Sequence, residues 1–124
     1  VTPQLYHFTC DKGARLIGRY NCLIIPQGAH PVCGWSLAWF TTETAPDREA
    51  TGLTSALVTC DRMAFRYTIT DPSPCVPWTG SRWQEETPAA FRRVMEKHGD
   101  AEHWWVSDRP VRAALDRAYQ LAAT

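Results

Sequence analysis

The spacing of apolar positions changes period several times along the chain. The cleanest stretch is Met63, Phe65, Tyr67 and Ile69, apolar at every second position, which predicts a strand over 63–70 with one face on a core. Residues 4–9 mix aromatic and β-favouring side chains before meeting Cys10-Asp11-Lys12-Gly13, so a first strand ends near Thr9. From Asp11 to about Arg19, Ala14, Leu16 and Ile17 supply one apolar face, predicting a short helix with Asp11 near its positive end. The run Cys22-Leu23-Ile24-Ile25 stops at Pro26 and Gly28, and 27–34 reads as loop. Residues 36–41 and 57–60 have strand composition, while 42–51 is polar, contains Pro46 and reads as loop with at most a helical turn. Three prolines over 71–77 exclude a regular ladder there, so a connection is expected. Thr87-Pro88 predicts a helix over 88–98, with Thr87 as N-cap and Gly99 beyond its end. Residues 102–107 form a last predicted strand. A terminal helix is predicted from 108–110 onward, with Val111, Ala114, Leu115, Ala118, Tyr119 and Leu121 on one face.

Strands and helices in this order predict a single α+β domain, and 124 residues suffice for one core. With 44% hydrophobic and 21% charged residues, the composition is that of a folding chain. Lys plus Arg equals Asp plus Glu at 13 each, and no basic cluster or recognition-helix signature is present. No net field therefore draws the chain to nucleic acid or to an anionic membrane. The five cysteines, Cys10, Cys22, Cys33, Cys60 and Cys75, are odd in number and widely spaced, unlike a secreted disulfide scaffold. The nearest approach to zinc-ligand spacing is His30-Pro-Val-Cys33, without a second pair, so no metal is expected. No apolar run approaches the ~20 residues that cross a bilayer, and the expected location is the cytoplasm.

Three segments carry candidate chemistry. Leu5-Tyr6-His7-Phe8-Thr9, followed by a helix and then Leu23-Ile24-Ile25-Pro26, resembles the opening of the ADP-ribosyltransferase superfamily, in which a strand with His-x-Ser/Thr precedes a helix. Ala38-Trp39-Phe40-Thr41 falls where that family has a Tyr-Phe strand, and Glu102-His103-Trp104-Trp105-Val106-Ser107 resembles its final strand, opened by the catalytic Glu. The likeness runs from about Leu5 to Leu115 on about a dozen residues. The glycine usual before the leucine at position 23 is replaced by Asn21-Cys22. Read singly, His7 is a packed core histidine, Trp39 and Phe40 a core aromatic pair, and Glu102 a solvated residue or a group that orients His98 or His103.

The resemblance implies a split antiparallel sheet with flanking helices, and NAD as substrate. Cleaving the nicotinamide–ribose bond builds positive charge on the ribose, which a fixed carboxylate stabilises. That role falls to Glu102. His7 would hold the adenosine ribose, Thr9 would offer a hydroxyl near nicotinamide, Trp39 would stack on nicotinamide, and Tyr6 and Phe40 would wall the pocket. Arg66, opposite the apolar face of its strand, and Arg62 at that strand's start are candidates to grip pyrophosphate or a partner. Asp47, Arg48 and Glu49 are surface charges or part of a target-recognition loop, and an acceptor would dock on 26–35, 42–56 or 71–86. The acceptor itself, a protein, a nucleic acid or a small molecule, is open. Small transferases of this kind are familiar as toxins and as phage or bacterial effectors. The alternatives are a protein-binding module, for which the six tryptophans would supply the surface, and a relative of the RNA 2′-phosphotransferases.

Overall fold

A computed structural model of the chain describes residues 2–26, 34–45, 62–97 and 99–119. In chain order its elements are β1 (Tyr6–Thr9), α1 (Asp11–Arg19), β2 (Leu23–Ile24), β3 (Ala38–Thr41), β4 (Phe65–Asp71) and β5 (Val76–Pro77). Then follow α2 (Arg82–Glu86), α3 (Ala89–Glu96), a 3-10 turn (Ala101–His103), β6 (Trp104–Ser107) and β7 (Val111–Leu115). The class is α+β. The described strands form one sheet in the order β2-β7-β4-β1-β3-β6-β5, and neighbours pair antiparallel throughout. Register holds over four positions between β1 and β4 and over four between β3 and β6, yet β1 and β3 share the single pair Tyr6–Thr41. The sheet therefore has a seam between β1 and β3.

Side chains alternate across the sheet, and each face has its own core. On the first lie Leu5, Phe40, Tyr67, Ile69, Val111 and Ala113, covered by Ile17 of α1. On the second, Trp78, Trp83, Trp104, Leu37 and Val106 are buried, with Trp35, Trp39 and Met95 packed against them. Trp78 is fully buried and its indole N–H donates to Glu96 Oε2 at 2.7 Å, which satisfies the polar atom of a large apolar group. That bond ties α3 to the tryptophan core, for α3 buries no residue of its own and leaves Val94 74% exposed.

The predicted strand over 63–70 is β4, and the predicted helix from Asp11 to Arg19 is α1, with Asp11 in its first turn and Arg19 in its last. Four expectations are corrected. The terminal helix is instead β7, in which Val111 and Ala113 are buried while Arg112 and Ala114 are exposed. The slot between β2 and β4 must be filled by a chain that pairs on both sides, and this demand overrides the helix propensity of the alanines. Thr87 closes α2, its hydroxyl donating to Trp83 O at 2.6 Å, so Pro88 takes the N-cap position of α3. The connection read over 71–77 holds the two-residue edge strand β5, and the loop expected over 71–86 also holds α2, capped by Ser81, whose hydroxyl accepts from Gln84 N. Glu102 lies in the 3-10 turn before β6, not in the strand. The predicted strand over 57–60, Asp47, Arg48, Glu49, His30, Cys33, His98 and Leu121 lie outside the described residues.

α1 ends in a bond from Cys22 N to Ile17 O at 3.0 Å, with Asn21 at φ 56 and Cys22 at φ 62. These are left-handed conformations, costly for residues with a Cβ. The position of Asn21-Cys22 is thus one where a glycine fits without that cost. Cys22 is exposed, so replacing it removes no packing. Cys22→Gly is expected to raise stability by about 0.5–1 kcal/mol, relief of the left-handed strain exceeding the entropy gained by the unfolded chain. Cys22→Val, β-branched, is expected to lower it; urea unfolding of both variants checks the opposite signs.

Candidate functional site

At the seam, where backbone pairing between β1 and β3 is confined to Tyr6 and Thr41, the imidazole of His7 bonds by Nδ1 to the carbonyl of Trp39 at 2.7 Å. A carbonyl only accepts, so Nδ1 carries the proton and Nε2 is left as an acceptor. Burial lowers the pKa of His7 below its ordinary value of 6.5, partly offset by this bond, and the ring is neutral at physiological pH. Nε2 has no hydrogen-bond partner among the described residues. The ring stands 5.7 Å from that of Phe40, and Phe40 is paired with Trp105 across β3 and β6. Directly paired residues project to the same face. His7, Phe40 and the half-buried Trp105 thus form one aromatic group over the seam.

The candidate residues divide between the two faces. Trp39, one position from Phe40, lies on the other side, its ring 5.0 Å from Trp78 and 5.9 Å from Trp104. A nicotinamide stacked on Trp39 would not share a pocket with His7, and Trp105 is the tryptophan on the His7 face. Tyr6 is also on the second face, stacked on Arg66 at 5.1 Å. Arg66 is held between Tyr6 and Tyr119, the latter at 5.0 Å, with Nε and Nη2 on Asp116 Oδ2 and Nη1 on Thr44 O. Its guanidinium pulls the Asp116 carboxyl below the usual carboxylate range. Arg66 thus clamps β4, residue 44 and the turn after β7. Thr9 turns its hydroxyl toward α1, so closely that a Cβ at Gly13 would overlap Thr9 Oγ1.

Glu102 is exposed, its side chain 78% accessible, with Oε1 3.8 Å from His103 Nε2. The bond from Thr42 N to His103 O at 3.1 Å carries the β3–β6 ladder one step past the strands, which brings Glu43 alongside. His103 Nδ1 is 2.8 Å from Thr42 Oγ1, and its Nε2 faces Glu43 at 4.0 Å and Asp100 at 3.9 Å. Sequence reasoning missed Trp105, Thr42, Glu43 and Asp100. The strand alternation of 104–107 was the one signal for Trp105, whereas the others depend on the β3–β6 register. The cysteines that can be placed behave as packing thiols in two cases: Cys10 and Cys75 are buried, and burial pushes the Cys75 thiol up to about 12. Among the described residues no helix is long and apolar enough to cross a membrane. Comparison with protein-family models, curated proteins and solved structures gave no match.

The lowered pKa of His7 has a thermodynamic consequence. As pH falls below 6.5 the unfolded chain takes up a proton that folded His7 refuses, so stability is full above that value and is lost as pH drops toward the folded pKa. The unfolding midpoint is expected to fall from about pH 7.5 to about pH 5.5, and to fall less in His7→Gln. Equal pH slopes in the two proteins would remove this assignment.

Proposed function

We propose that the chain is an NAD-dependent ADP-ribosyltransferase whose split sheet opens its cleft at the seam between β1 and β3. The observation that carries this reading is the neutral imidazole of His7, fixed by Nδ1 on Trp39 O at that seam. An oriented acceptor nitrogen suits a ribose hydroxyl, and the half-buried Trp105 on the same face offers an apolar surface to a base or a nicotinamide ring. The left-handed Asn21-Cys22 supports the same reading, being the backbone a glycine would adopt before Leu23.

In the reaction, the bond between nicotinamide nitrogen and the ribose anomeric carbon breaks, and nicotinamide leaves with the electron pair. A lone pair on the acceptor forms the new bond to that carbon, and the acceptor's proton passes to Glu102 or to water. The Glu102 carboxylate stabilises the oxocarbenium character that develops between the two events. Acceptor identity belongs to the surfaces around the cleft.

A second reading, nucleotide or protein binding without transfer, is favoured by the 78% exposure of the Glu102 side chain, since a carboxylate in water stabilises a cation far less than one in a dry site. Calorimetric titration with NAD separates these. On the transferase reading the wild type binds, His7→Ala binds about tenfold more weakly through loss of one hydrogen bond, and Glu102→Gln still binds but loses about 100-fold or more in NAD cleavage. NAD also changes the tryptophan fluorescence, and this response is lost in Trp105→Phe and kept in Trp39→Phe. No heat at about millimolar NAD removes both NAD readings and leaves a protein-binding module; binding with Glu102→Gln as active as wild type leaves NAD binding alone.

A further inference from the structure

The turn that brings the chain into β6 gathers a mixed nitrogen and oxygen donor set that NAD chemistry does not require. We propose that Glu43, Asp100 and His103 form a binding site for a divalent first-row transition cation. One donor atom from each of the three lies within 4.8 Å of the others. Two causes produce this convergence. A 3-10 turn has three residues per turn, so Asp100, at its N-cap, and His103 stack one above the other. The bond from Thr42 N to His103 O then delivers Glu43 from the far side of the β3–β6 ladder.

The imidazole makes this more than a group of carboxylates. His103 Nδ1 lies 2.8 Å from Thr42 Oγ1, and Nε2 faces Glu43 Oε1 at 4.0 Å, Asp100 Oδ2 at 3.9 Å and Glu102 Oε1 at 3.8 Å. With a cation bound, Nδ1–H donates to Thr42 Oγ1 and the Nε2 lone pair is the ligand. Thr42 is the kind of outer partner that fixes the tautomer of a ligating histidine. Metal–ligand bonds of about 2.0–2.2 Å place donor atoms about 3.0–3.5 Å apart, so each group needs to close by about half an ångström. One imidazole with carboxylates suits zinc, cobalt, manganese or iron in the divalent state better than soft copper(I). With side-chain exposures of 40% for His103, 37% for Asp100 and 29% for Glu43, the site opens to solvent.

Cobalt(II) titration of the metal-free full chain, followed by electronic absorption, tests the site without NAD. Its outcome is thus independent of the transferase reading. The expected result is saturable binding of one ion with ligand-field bands and no thiolate charge-transfer band. Binding is expected to weaken at least about tenfold in Asp100→Asn, which preserves shape, and in His103→Ala, and to be unchanged in Cys22→Ser. The proposal is overturned by absent binding at about millimolar cobalt, by a thiolate band, by loss of binding in Cys22→Ser, or by full binding in Asp100→Asn and His103→Ala.

Discussion

Two half-sheets meet at one backbone pair, Tyr6 with Thr41, and the bond from His7 Nδ1 to Trp39 O bridges them just beyond it. A side chain here does what a ladder hydrogen bond does elsewhere. The carbonyl of Trp39 gains a donor, and the imidazole is locked into one tautomer. Burial keeps the ring neutral, and the neutral ring gives the seam an oriented nitrogen acceptor. Structure and candidate chemistry share this one bond.

Each half-sheet is secured by different means. On the β1–β4–β7 side, apolar packing under α1 is joined by the Arg66 clamp, in which a guanidinium between two tyrosine rings holds Asp116 and the carbonyl of Thr44. On the β3–β6 side the core is rich in indole, α2 enters it through Trp83, and α3 is tied by polar bonds, from Trp78 to Glu96 and from Arg92 to Gln84 O of α2. Arginine and tryptophan here stabilise the scaffold, although both residue types read equally well in a sequence as ligand contacts. What the two cores do not absorb is His7 Nε2 and the polar group around His103, whereas Trp105 packs partly against the first core.

The local elements that sequence periodicity revealed are those whose own residues supply the reason for their shape. β4 alternates because one face meets a core, and α1 has its acid at one end, its base at the other and Ile17 inward. β7 was misread because alanines at helical spacing also satisfy a period of two, and the choice is made by β2 and β4, which leave a slot with hydrogen-bonding backbone on both sides. Thr87-Pro88 does precede a helix, α3, but the cap is Pro88 and not Thr87, whose hydroxyl is used by the preceding turn, a turn with no apolar period of its own.

The candidate site divides along the same line. The sequence by itself determined the α+β class, the presence of His7 on the first strand and an acidic residue before β6, since residue types and local patterning specify these. Only the tertiary structure decided which aromatic accompanies His7. Neighbouring residues of a strand project to opposite faces, so Trp39 is separated from Phe40, and the β3–β6 register sets Trp105 opposite Phe40 on the face of the histidine. It also decided that Arg66 is spent on Asp116, and that Glu43, Asp100 and His103 converge. Such facts depend on pairing between segments 50 or more residues apart, which no local pattern encodes.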